Sequence, residues 1–162
     1  MKSVLISNTG PIIALSGVNH LTLLTRLYAR ILVPDAVNQE IQSCRNARLG
    51  LKNYMRADWI EVVSSGNVEP LLRTELDAGE AAVIDLALKE PHAEVLIDER
   101  KGRKIARLVY GMNVLGTVRI LINAKNAGII PGIKEIIQQM RSNGYWIHDS
   151  IVSHALQIAG EK

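Results

Sequence analysis

The chain has 162 residues, 48% hydrophobic and 22% charged, a balance that builds one globular domain and excludes a disordered polyelectrolyte. A single cysteine, Cys44, excludes a disulfide framework and a cysteine-built zinc site. The net charge of +3 is too small to mark a nucleic-acid binder, and every apolar run stops short of the ~20 residues of a membrane span.

Residues 2–7 (KSVLIS) are almost continuously apolar, as in a strand buried on both faces of a parallel sheet. Asn8-Thr9-Gly10-Pro11 then signals a helix start, and Gly17 ends that helix. Leu21, Leu23, Leu24 and Leu27 carry a second short helix, residues 29–34 (ARILVP) a strand, and Asp35 opens a helix through Val37 and Ile41. Residues 58–63 (DWIEVV) read as the next strand, followed by a polar loop leading to Leu71 and Leu72. Asp77-Ala78-Gly79-Glu80 has the spacing of a capping box before an alanine-rich helix. Residues 93–98 (AEVLID) are a buried strand with a basic helix behind it, and 112–115 (MNVL) another strand, with Gly116-Thr117 starting the next helix. Gly128 and Pro131 separate that helix from one at 132–143, Gly144 caps it, and residues 145–148 form an extended edge piece before a last helix.

Strands alternating with helices predict one α/β domain over residues 1–162, a parallel sheet with helices on both faces. The opening segment (MKSVLISNTGP) reaches a turn too early for a signal peptide, so a cytoplasmic, reducing location is expected.

In such sheets ligands bind beyond the carboxyl ends of the strands. Asn8 follows the first strand and Asp98 ends a later one, while Glu40 and Glu80 lie on helices that feed the same edge. If folding gathers them, three carboxylates and an amide share a small pocket, and such crowding calls for a cation. All-oxygen ligands favour Mg²⁺ or Mn²⁺ over zinc. Taken singly, Glu80 reads as a helix cap, Glu40 as a surface glutamate and Asn8 as the cap of the Pro11 helix. Asp98 reads equally as ligand or cap. Glu99 is a candidate secondary ligand. Asp85, five residues past Glu80, points away from it and reads as surface.

Five basic residues crowd positions 100–107, and Arg45, Arg48, Lys52 and Arg56 recur at helical spacing. Aromatic residues are scarce, with no Phe, so a base-stacking platform is not expected and any nucleic acid is met at its backbone. Apolar faces on short helices such as residues 21–27 suit either the core or a homodimer.

The segments ISNTGPIIAL, VPDAVNQEI, LDAGEAAVIDLAL, VLIDERKGRKIA and VLGTVRILINAKNAGIIPGIKEII, in this order, resemble the PIN-domain family, near its compact VapC toxin branch. The resemblance covers nearly the whole chain. It implies a three-layer α/β/α fold around a central parallel sheet, and RNA cleavage dependent on Mg²⁺ or Mn²⁺. It also implies the toxin half of a toxin–antitoxin pair, with a small antitoxin, an RNA substrate and a second copy of the chain as partners. The family's catalytic and metal-binding cluster falls on Asn8, Glu40, Glu80 and Asp98, with Thr9 as a supporting hydroxyl. Arg100, Lys101, Arg103 and Lys104 would reach flanking phosphates. The first position is ordinarily aspartate. Asn8 offers an amide oxygen without charge, which implies a weaker metal site and leaves an inactive, purely binding PIN-like protein as the alternative.

Overall fold

The computed structural model describes residues 2–44 and 50–162; Arg45 and Arg48 of the second basic stripe lie outside the described residues. The strands are β1 (Val4–Ser7), β2 (Arg30–Pro34), β3 (Ile60–Val63), β4 (Glu94–Leu96) and β5 (Asn113–Leu115). All pair in parallel, in the order β3-β2-β1-β4-β5. Parallel neighbours need crossover connections. Helices α1 (Thr9–Gly17) and α2 (Leu23–Leu27) join β1 to β2, and α3 (Asp35–Ser43) and α4 (Leu51–Met55) join β2 to β3. Helices α5 (Pro70–Glu75) and α6 (Ala78–Lys89) lead to β4, α7 (Arg100–Leu108) to β5, and α8 (Thr117–Asn126), α9 (Lys134–Ser142) and α10 (Asp149–Ile158) complete the chain.

Consecutive strand residues point to opposite faces. Leu5 and Ile6, Leu32 and Val33, and Val95 and Leu96 are all fully buried, so helices cover both faces of the sheet. This is the expected three-layer α/β/α arrangement. Helix α6 lies across β1, β2 and β4 and packs on α3, α5 and α7. Its residues Gly79 to Leu86 are buried without a break, so alanine dominates where neighbouring backbones come close. The outer strand β3 exposes Glu61 and Val62. There the Arg30 guanidinium donates to both Glu61 oxygens, at 2.9 and 3.0 Å, placing charge on the sheet edge.

Two expectations need correction. Residues 145–148 are not a sheet strand; they cross from α9 to α10 outside the ladder, after Gly144 turns the chain at φ +93°. Asp85 is not a surface residue. It is 5% exposed, accepts the Glu69 N–H at 3.1 Å and stands 3.1 Å from the Lys89 ammonium. A position five residues on rotates away from Glu80, but toward the loop before α5 rather than toward water. Helix α5 itself needs more than its Leu71-Leu72 pair: Pro70 opens it, and the Glu69 carboxylate accepts the Leu72 N–H.

The central strand carries the packing. Ile6→Ala is expected to cost about 2–5 kcal/mol in urea unfolding. Leu88→Ala, at a position on the same α6 that is 48% exposed, is expected to change it by less than about 0.5 kcal/mol.

Candidate active site

Strand register decides what meets at the carboxyl edge. Ser7 pairs with Leu96, and Leu96 with Leu115. Asn8, one residue past this row, and Asp98 and Thr117, each two residues past it, therefore leave the sheet at the same edge. Strand order reverses between β1 and β4, the crevice where open α/β sheets bind ligands. The Asn8 N–H donates to the Leu96 carbonyl at 3.0 Å and pins the start of this edge.

Asn8 occupies the N-cap position of α1 with extended backbone, yet its side chain makes no capping bond. The amide oxygen turns to α6 instead. A Cβ on Gly79 would stand 3.4 Å from Asn8 Oδ1 and 2.7 Å from Glu40 Oε2. Both oxygens thus crowd one point that only glycine leaves open. Glu40 reaches it from an exposed position late in α3.

Glu80 stands one residue further along α6. The helix cap is Asp77, whose carboxylate accepts the Glu80 N–H at 2.8 Å. The reciprocal half of the capping box is not made. Glu80 is 7% exposed, and its Oε2 is buried without a hydrogen-bond partner, 2.7 Å from where a Cβ on Gly102 of α7 would lie. Burial, then the neighbouring Asp77, Glu99 and Glu40 charges, push its pKa up to about 8. Thr9 Oγ1, beside Asn8, is also buried without a partner.

Asp98 is differently placed. Its Oδ1 accepts the Thr117 N–H at 2.8 Å, and its Oδ2 accepts the Thr117 hydroxyl at 2.5 Å and the Tyr145 hydroxyl. It therefore caps α8, a helix nineteen residues away, and not α7 which follows it. Burial, and then Asp98, raise the pKa of Tyr145. Arg103 turns inward from the basic helix and donates to the Ile97 carbonyl at 2.9 Å. Burial and Arg107 lower the pKa of its guanidinium while Asp98 opposes them. Arg100, Lys101 and Lys104 stay exposed, with Lys101 3.6 Å from Glu75.

The predicted residues thus form two adjoining groups. Asn8 and Glu40 meet at Gly79 next to Glu80, while Asp98 is engaged with Thr117 and Tyr145. Among the described residues, no three His, Cys, Asp or Glu side chains stand close enough together to hold a metal ion. The inner group still suits a hard divalent cation by donor chemistry: amide and carboxylate oxygens, with one carboxylate oxygen lacking any partner. Asp98 would join it only by giving up bonds to Thr117 or Tyr145. Glu99 is exposed at the start of α7 and acts on Glu80 through its charge alone. Tyr145 had no signal in the sequence, because residues 145–148 carry no periodicity that fixes where their side chains point.

A comparison with curated proteins returns no match. A family model described as a PIN domain matches residues 4–161, spanning all five strands and every site residue above. With this sheet order and this carboxylate-lined edge, the chain belongs to the PIN-domain family, whose members are generally nucleases.

Proposed function

We propose that the protein is a ribonuclease that hydrolyses phosphodiesters with Mg²⁺ or Mn²⁺ held by Asn8, Glu40, Glu80 and Asp98. The observation that carries this reading is the unpartnered, buried Glu80 carboxylate beside Asn8 and Glu40 at the sheet's switch point. The ion, when bound, supplies Lewis-acid stabilisation of phosphoryl oxygens and a water of lowered pKa. Glu80 must give up the proton that its raised pKa lets it keep near neutrality. Asn8 and Glu40 then fix the inner face of the site, Thr9 offers a hydroxyl, and Thr117 and Tyr145 orient Asp98. Arg100, Lys101 and Lys104, exposed on α7, would contact flanking phosphates, whereas Arg103, bonded to the Ile97 carbonyl, would serve the site's framework.

The VapC-like motif order supports a cytoplasmic toxin of a toxin–antitoxin pair, with a small antitoxin and a second copy as partners. Among the described residues, no helix is long and apolar enough to cross a membrane. A second reading, a PIN-like binding protein with little or no catalysis, is favoured by the uncharged Asn8 and by the engaged carboxylate of Asp98.

RNA degradation in Mn²⁺ is expected to stop in EDTA and to fall at least about 100-fold in Glu80→Gln; chelator-resistant cleavage would contradict the proposal. Asn8→Asp separates the two readings. A silent wild type that gains cleavage on this change identifies the binding protein, whereas an active wild type that gains only a few-fold identifies the nuclease. Gly79→Ala is expected to keep or raise the melting temperature, because alanine favours the helix by up to about 1 kcal/mol. It should still lose cleavage, since the new methyl displaces the Glu40 carboxylate.

Without metal, the fold holds the Glu80 proton more tightly than the unfolded chain does. Stability should therefore fall as pH rises from about 4.5 to about 8. Melting temperatures in EDTA across this window should drop more for the wild type than for Glu80→Gln, and parallel curves would refute the assignment.

A further inference from the structure

A cleft of about 360 Å³ opens beside the site and shares Asp98, Arg103 and Thr117 with it. Its volume lies at the lower end of the ~300–1,000 Å³ range of small-ligand pockets. Its inner wall is apolar, from Ile122, Ile147 and Ala155. Trp146 stands on its rim, 72% exposed. Arg141 covers one face of the indole, 5.1 Å from the ring centre, and is itself tied to the Ile147 carbonyl and to Asp149 at 2.8 Å. The ring is thus held in place while much of it remains open to solvent. Arg119 on the same rim is exposed and forms no ion pair among the described residues.

We propose that this cleft is a subsite for one unpaired nucleobase of an RNA strand, with Trp146 as the stacking face and Arg119 as the cation for the adjoining phosphate. The proposal rests on the nuclease reading, because a strand cut at Asp98 must run past this opening. A scarcity of aromatic side chains argues against a multi-base platform; a single-base pocket needs only one. Two observations choose an RNA strand over a second copy of the chain. The cleft is continuous with the proposed catalytic edge, and its free rim charge is cationic, complementary to phosphate and repulsive toward the same face of a copy.

The test uses a Trp59→Phe background, in which Trp146 is the remaining tryptophan, and EDTA so that no strand is cut. A short single-stranded oligoribonucleotide should quench the Trp146 emission and bind about 5- to 150-fold more tightly than an abasic strand of equal length. Anisotropy of labelled strands should show that Trp146→Ala abolishes this preference and Trp146→Phe retains part of it, both with unchanged circular dichroism. Arg119→Ala should weaken both strands alike. Equal affinity for the two strands, or a preference that survives Trp146→Ala, would overturn the subsite. So would a sedimentation shift in Trp146→Ala without any change in RNA binding, which would assign the face to a second copy. Glu80→Gln should keep the base preference while losing cleavage, so that failure of the catalytic reading and failure of the subsite register separately.

Discussion

A buried carboxylate oxygen without a hydrogen-bond partner costs roughly 1–3 kcal/mol, more when charged, and Glu80 carries that cost at the centre of the molecule's carboxyl edge. The surrounding structure prevents any easy escape. The Asp77 carboxylate takes the Glu80 backbone N–H without offering the Glu80 side chain a bond in return, Gly102 brings the α7 backbone against that side chain, and Glu40 and Glu99 add charge of the same sign. The group stays protonated or takes a cation. Either way, the strain sits where strand order reverses, and the scaffold of fully buried β1 and β4 residues sustains it.

Two glycines make the crowding possible. At Gly79 and Gly102 a carboxylate oxygen occupies space that a Cβ would claim, at 2.7 Å in each case. Helix α6 gives up helix propensity at Gly79 in exchange for this approach. The edge is thus shaped by missing side-chain atoms as much as by the carboxylates themselves. Asp98 shows the complementary arrangement, in which both carboxylate oxygens accept bonds, one from the Thr117 N–H and the other from the Thr117 and Tyr145 hydroxyls. One carboxylate is left with a buried oxygen that has no partner, and the other is engaged by two neighbouring side chains and a backbone N–H.

Tyr145 and Trp146 tie the last third of the chain to this edge. They lie on a connection with no ladder hydrogen bonds, between a left-handed Gly144 and the start of α10, where His148 accepts the Ser150 N–H. Their placement depends on Arg141 beneath the indole and on Asp98 at the phenol. A short irregular segment thereby supplies both a wall of the carboxyl edge and the rim of the neighbouring cleft.

The amino-acid order alone determined the alternation of strands and helices, the parallel sheet, and the candidacy of Asn8, Glu40, Glu80 and Asp98, because buried strands and helix starts leave local patterns. Boundaries agree to within two residues for the strands, since the apolar runs and prolines that mark them are local. Tertiary structure decided the rest. Whether Asp98 caps α8, whether Asp85 faces the loop before α5, and whether Asn8 turns from its own helix to Gly79 are questions of residues 16 or more positions apart. No local pattern encodes a partner at that distance; it is set by register across the sheet and by which helices lie over it.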